Sequence, residues 1–244
     1  MPNPCSIVLD QFLQYYYISE EIPEDTTMPV SQTLFFLIAQ YVGTVAFAAS
    51  GAMLAIDRGL DLLGVIVLGV TTALGGGSLR DIIIGVLPPQ MFSSPVYVLI
   101  AVGTSILIFI SESIRRDKFL ESYKVVDKYV NIFDAIGLGV FTIVGVETAL
   151  DSGHGENAFL CIFLGVLTGV GGGMLRDILS HEIPAVLKKH VYALASIIGA
   201  FLYYFFYKIS FSNNFAVILS VAVVLAIRLL AAHYRWELPK VKNS

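Results

Sequence analysis

This sequence is short of charge. Only 14% of its 244 residues are Asp, Glu, Lys or Arg, while 56% are hydrophobic, and a soluble protein of this size needs far more charge to cover its surface. Cysteine is nearly missing. Cys5 and Cys161 are too few and too far apart for a metal or redox motif, and Cys161, inside a hydrophobic run, reads as a small apolar residue. The first 30 residues contain no Lys or Arg, so they lack the basic start of a cleavable signal peptide; residues 7–18 read as an interfacial helix or as a plain extension. There is no Ser-His-Asp arrangement, Walker loop or zinc motif, so neither an enzyme nor a cofactor is expected. His154 and Glu156 share a loop but have no third ligand and read as solvated, while His181-Glu182 and His190 read as interface residues.

What is there comes in blocks. Between residues 33 and 54 the only ionisable side chain is Tyr41; from 62 to 79 there is none, and from 96 to 111 only Tyr97. A bilayer core of about 30 Å takes about 20 apolar residues as helix, and no in–out alternation of the β-barrel kind appears. The fold class is all-α integral membrane, with seven spans at about 33–54, 62–87, 95–112, 132–150, 157–183, 190–208 and 214–232. Orientation follows from Lys and Arg. With the N-terminus outside, the inner segments hold Arg58, Arg115, Arg116, Lys118, Lys124, Lys128, Lys188, Lys189, Arg228, Arg235, Lys240 and Lys242, whereas the outer ones hold only Lys208. That bias puts the C-terminus in the cytoplasm, in a multi-pass cell membrane. Arg228 reads as a side chain snorkelling to the inner surface. The basic segment 115–128, interleaved with apolar residues, suits an amphipathic helix on anionic lipid rather than a nucleic-acid site.

The chain nearly repeats itself. Gly75-Gly76-Gly77-Ser78-Leu79-Arg80-Asp81-Ile82 is answered 96 residues later by Gly171-Gly172-Gly173-Met174-Leu175-Arg176-Asp177-Ile178. At an offset of 94, Gly43, Phe47, Gly51, Ala55 and Asp57 match Gly137, Phe141, Gly145, Ala149 and Asp151. Each unit has three spans, an odd number, so the second copy is inverted, as in transport folds with a permeation site at the repeat interface. The organisation is a 1–30 extension, a 31–114 first repeat, a 115–130 cytoplasmic linker, a 131–209 second repeat, a 210–235 seventh helix outside the duplication, and a 236–244 tail.

Triple glycine within a span costs about 1 kcal/mol per residue against Ala. Three in a row suit a break that frees backbone carbonyls and amides beside a cavity, so helices 2 and 5 are expected to be broken there; close helix packing is the alternative. Arg80, Asp81, Arg176 and Asp177 follow the breaks, and intramembrane charge marks either a pathway or a structural ion pair. Depth along the helices pairs Arg80 with Glu147 and Arg176 with Asp134. Thr71, Thr72, Thr168 and Ser50 offer hydroxyls either to an ion or back to their own helices.

The doubled Gly-Gly-Gly-x-Leu-Arg-Asp, each copy on the second helix of a three-helix unit, resembles the trimeric intracellular cation (TRIC) channel family. It is similar above all to the prokaryotic branch, part of which is catalogued as a presumed glycine-transporter domain. The resemblance runs from about residue 37 through the seventh helix. It implies a homotrimer with a pore in each protomer, bent and lined at Gly75–Gly77 and Gly171–Gly173, conducting monovalent cations, chiefly potassium. Animal members carry Lys-Glu-Val after the first triple glycine; here Ser78-Leu79-Arg80-Asp81 stands there, so their regulation is not carried over. A potassium-type channel surrounded by membrane lipid is the leading expectation, and a secondary transporter of glycine or another small zwitterion is the alternative.

Overall fold

The structure, a computed structural model, describes residues 30–114, 123–188, 191–234 and 236. The extension before Val30, the proposed interfacial helix, Arg115, Arg116, Lys118, Lys189, His190 and nearly all of the tail lie outside the described residues. Contacts divide the chain into two units, Met1–Leu34 and Phe35–Ser244; apart from the first residues of the first helix, the second holds everything discussed below.

The helices are α1 Val30–Asp57, α2 Leu62–Ile83, the short α3 Gln90–Ser93, α4 Pro95–Ile114, α5 Tyr123–Ala149, α6 Ala158–Leu179, the short α7 Ala185–Lys188, α8 Val191–Lys208 and α9 Asn213–Tyr234. Seven are long and apolar enough to cross a membrane. In hydrocarbon each backbone N–H and C=O must be satisfied within its own segment, which is why these apolar runs coil as helix. At 22 residues α2 and α6 are about 33 Å long, matching a bilayer core. Large apolar side chains such as Leu63, Leu99, Phe159 and Phe215 stay exposed around the outside.

The duplication shows in local detail. Asp61 caps α2 by accepting from Gly64 N at 2.8 Å, and Asn157, 96 residues on, caps α6 by accepting from Leu160 N at 3.0 Å. α2 and α6 each stop four residues short of the expected 87 and 183. Both chains turn there, through Gly85 with φ 76° after α2 and His181 with φ 57° after α6. Pro88 and Pro184 then precede the short helices α3 and α7, which sequence patterning did not anticipate. The described part of the basic segment, from Tyr123 on, continues directly into α5 instead of forming a separate surface helix.

α5 is the central helix. Of its spanning window 72% is buried, against 17% for α4 at the periphery. Ile143, Val146, Ala149 and Leu150 meet Cys161 and Leu164 of α6, Ala200 and Tyr203 of α8, and Ala216 and Val217 of α9. Cys161 is a fully buried apolar filler, as its setting in the sequence implies. Because lipid is as apolar as leucine, such contacts hold helices together through close packing and hydrogen bonds rather than through escape from water.

Candidate functional site

Both triple glycines lie inside unbroken α-helix, which corrects the expectation of breaks in helices 2 and 5. They allow α2 and α6 to cross backbone on backbone. A Cβ on Gly76 would strike Thr168 O and one on Gly172 would strike Thr72 O, both well under 3.0 Å. A Cβ on Gly76 would also sit 3.1 Å from Gly172 N, and one on Gly171 would sit 3.1 Å from Gly76 Cα. In a bilayer an intact hydrogen-bond ladder plus an intimate crossing costs less than freed backbone groups. Gly75 meets Leu175 across the same crossing, whereas Gly77 and Gly173 face the Arg80 and Arg176 side chains.

Two of the threonine hydroxyls are likewise spoken for. Thr72 and Thr168 each donate to their own helix, to Leu68 O and Leu164 O at 2.6 Å. They abut Gly51 and Gly145, where α1 and α5 cross their partner helices. Thr71 is half-buried beside Gly75.

The two Arg-Asp steps form one repeated device. Arg80 donates from Nε and Nη2 to Asp81 Oδ1 at 2.9 and 2.7 Å, and Asp81 Oδ2 accepts from Gln90 N at 2.9 Å. Arg176 does the same to Asp177 Oδ1 at 2.9 and 2.8 Å, and Asp177 Oδ2 accepts from Ala185 N at 2.7 Å. Each aspartate thus neutralises its neighbour and fixes the start of the short helix that follows. All four residues are at least 94% buried.

Beyond this device the repeats diverge. Arg176 also reaches Asp134 Oδ1 at 2.8 Å and Ser50 Oγ, so the pairing expected from depth is present. Asp134 Oδ1 accepts from Tyr192 Oη at 3.2 Å as well. The equivalent positions in the first repeat are Gln40, 94 residues before Asp134, and Tyr97, 95 before Tyr192. Tyr97 donates to Gln40 Oε1 at 2.8 Å. A neutral amide therefore stands in the Arg80 half where a carboxylate stands in the Arg176 half. Arg80 does not pair with Glu147, contrary to expectation. Glu147 accepts from Tyr203 Oη and from Asn213 Nδ2 at 3.3 Å. Depth alone placed Arg80 and Glu147 at one level, but Arg80 folds back onto its own neighbour while α8 and the start of α9 claim the glutamate.

Arg228 is not a snorkelling residue either. It is 3% exposed, its guanidinium lies 4.4 Å from the Tyr192 ring centre, and its Nη2 lies 3.7 Å from Asp134 Oδ2. α9 carries it inward because the face Ser220, Val224, Arg228 packs against the bundle.

A cavity of about 40 Å³ opens in the Arg80 half, with Gln40, Thr44, Ser78, Arg80, Asp81 and Tyr97 on its walls. At roughly 10–15 Å³ for each water, it has room for about three. Its apolar lining includes Ala73, Leu74, Met91, Phe141 and Val144. Phe141 stacks on Phe47 with ring centres 5.3 Å apart, and Phe47 in turn fills the space left by the missing side chains of Gly137 and Gly172. Ser50, one helical turn beyond Phe47, already belongs to the Arg176–Asp134 cluster. The order along the molecule is the Arg80 cavity, the aromatic pair, then the charged cluster.

A family profile described as Glycine transporter matches residues 37–113 and 131–208. The UPF0126 inner membrane protein YadS of Escherichia coli K12 is 37% identical over 199 residues, which cover 81% of this chain and 92% of the relative. A UPF0126 membrane protein of Vibrio cholerae is also 37% identical, over 88% of this chain and 86% of the relative. A TRIC cation channel solved to explain conductance is 39% identical with a TM-score of 0.73, over 85% of this chain and 97% of that one. A prokaryotic TRIC channel crystallised in 0.5 M KCl is 30% identical with a TM-score of 0.76, over 84% and 100%. The chain belongs to the TRIC family. Its two profile matches fall one on each repeat, and TRIC membership agrees with the seven spans and the absence of strands among the described residues.

The Arg176–Asp134 pair is the one that sequence reading anticipated; Arg80 and Arg176 are also paired with the aspartates that follow them, Asp81 and Asp177, which it did not foresee. Gln40, Tyr97, Tyr192, Tyr203, Asn213 and Arg228 were missed. Carrying the repeat alignment into the third helix of each unit pairs Tyr97 with Tyr192, and that signal was available in the sequence.

Proposed function

We propose that this protein is a monovalent cation channel of potassium type, assembled as a homotrimer with a separate path through each protomer. The observation that carries the reading is the layered order just described. A small cavity edged by Arg80, Asp81, Gln40 and Tyr97, large enough for a few waters, reaches a stacked phenylalanine pair beyond which lies a second charged layer. Hydroxyl, amide and carboxylate oxygens lining the cavity suit a partly dehydrated cation, and Asp81 offsets the charge of Arg80. Phe47 and Phe141 would close the path at mid-depth by excluding water. The glycine crossings at Gly75–Gly77 and Gly171–Gly173 act here as pivots on which α2 and α6 shift, rather than as freed carbonyls lining a filter. The N-terminus is outside and the C-terminus in the cytoplasm, so the Arg80 cavity faces outward and the Arg176 cluster inward. Solved TRIC relatives described as cation channels and as trimeric support both the ion class and the assembly.

A transporter of a small zwitterion is the second reading, favoured by the guanidinium in the cavity and by the description of the matching family profile. Liposome reconstitution separates them. A channel dissipates a potassium gradient electrically with no organic solute present, while a transporter accumulates labelled glycine and passes no such current. Glycine uptake without potassium current overturns the channel reading.

A further inference from the structure

Arg228 is the least satisfied charge in the buried cluster. Arg176 meets its acceptors at 2.8–2.9 Å, but Arg228 stands 3.7 Å from Asp134 Oδ2, beyond hydrogen-bond length. Its Nε is buried and has no hydrogen-bond partner among the described residues. Unlike the other charges of the layer it comes from α9, outside the duplication, and the Arg80 half has no counterpart to it among the described residues.

Charge arithmetic says what it replaces. Asp134 and Asp177 carry two negative charges, and Arg176 balances one. The remaining charge sits at Asp134 Oδ2, beside the π face of Tyr192. A carboxylate oxygen and an aromatic face are both surfaces a monovalent cation accepts. We propose that Asp134 Oδ2 and Tyr192 form a monovalent-cation site that Arg228 occupies as a tethered counter-cation, closing this end of the path until α9 withdraws it. The proposal rests on the cation-channel reading. A structural ion pair would be expected to reach hydrogen-bond distance and to leave no guanidinium nitrogen orphaned.

The test is Arg228→Gln in the full chain, with Arg228→Lys as the charge-retaining control. Thermal unfolding in detergent is compared in potassium chloride and in N-methylglucamine chloride at equal ionic strength. The Gln variant is expected to gain several degrees in potassium relative to N-methylglucamine, because the cation takes the vacated place; the wild type and the Lys variant are expected to gain none. Equal midpoints in the two salts for the Gln variant overturn the proposal, as does a Gln variant that stays unfolded in potassium. In liposomes the Gln variant should pass potassium severalfold faster than wild type, and an unchanged rate from a folded trimer overturns the gating half. A potassium-specific thermal shift without flux in any variant, wild type included, leaves the site standing and sinks the channel reading instead.

Discussion

Removing the Arg176 charge leaves Asp134 with a hydroxyl at 3.2 Å and a guanidinium at 3.7 Å, and leaves Asp177 without its ionic partner. Breaking a buried pair on one side typically costs about 3–5 kcal/mol. For a chain of this length each kcal/mol moves the unfolding midpoint by about 2–4 °C, so Arg176→Met should lower it by roughly 6–20 °C. Asp134→Asn should cost a similar amount, because Arg176 would keep only Asp177 and Arg228 would lose its carboxylate. In the double variant both desolvated charges of the pair are gone together, so the loss should fall short of the sum by about 1–3 kcal/mol. The measurement is a double-mutant cycle by thermal unfolding in detergent, with gel filtration reporting assembly. Arg80→Met with Glu147→Gln is the matched control, since those two have different partners, and it should be additive within about 0.5 kcal/mol. Additivity in the Arg176–Asp134 cycle would refute the pairing energetics, and coupling in the control cycle would refute the partner assignment.

Gly172→Ala should destabilise the protein more than Gly77→Ala, because its Cβ meets the Thr72 carbonyl while that of Gly77 meets only the tip of Arg80; equal unfolding midpoints would contradict the crossing. Phe141→Ala should raise potassium flux by removing the floor of the cavity, and Phe47→Ala, truncating a side chain 1% exposed, should cost about 3–5 kcal/mol in stability besides; unchanged flux in a folded Phe141 variant would remove the aromatic pair from the path. Gln40→Asp copies the carboxylate of the other half into the cavity. A unit charge about 6 Å from an ion contributes roughly 0.7 kcal/mol in water and roughly 2.8 at an effective dielectric of about 20, so preference for potassium over chloride, read from reversal potentials, should rise at least about threefold. In a chain with Cys5→Ser, a cysteine at Ser152 should react with an impermeant thiol reagent from outside and one at Leu60 only from inside; the reverse pattern would invert the proposed orientation.

Span number and inverted duplication were legible because hydrocarbon imposes length and apolarity directly on sequence, and because seven identities in eight residues survive at the two motifs. The Arg176–Asp134 pair was legible for a narrower reason, since the helix depths happened to coincide with lateral contact. The same reasoning failed for Arg80 and Glu147, where depth coincided and contact did not. Depth is a one-dimensional quantity, whereas pairing needs the angular position of each helix, which no hydropathy pattern contains. The glycines misled in a related way. Three in a row fit a break and a backbone crossing equally well, and only the partner surface, Thr168 O against Gly76 and Thr72 O against Gly172, decides between them. Arg228 looked like a surface residue because it lies near the end of a span, yet the small residues around it let α9 approach closely enough to bury it.

The departures from symmetry that bear on the two arginines fall in one layer. An inverted duplication on its own makes two equivalent halves, with the same Arg-Asp turn, the same helix caps and the same glycine crossings, and all of these are kept. What differs is the layer next to each arginine: Gln40 against Asp134, only the Arg80 tip beside Gly77 against the Tyr192 hydroxyl and Asp134 beside Gly173, and Arg228 in the second half only. The shared elements hold the scaffold and are costly to alter singly, because each is a close backbone contact or a buried charge with its partner. The layer beyond them is where side chains can differ without disturbing the crossing. One half thereby keeps a small cavity beside a single Arg–Asp pair, while the other gathers four charges, one of them the Arg228 guanidinium at 3.7 Å from its carboxylate. The path we propose, closed at one end by Arg228, would need this inequality, and a seventh helix outside the repeat is the part of the chain free to supply it.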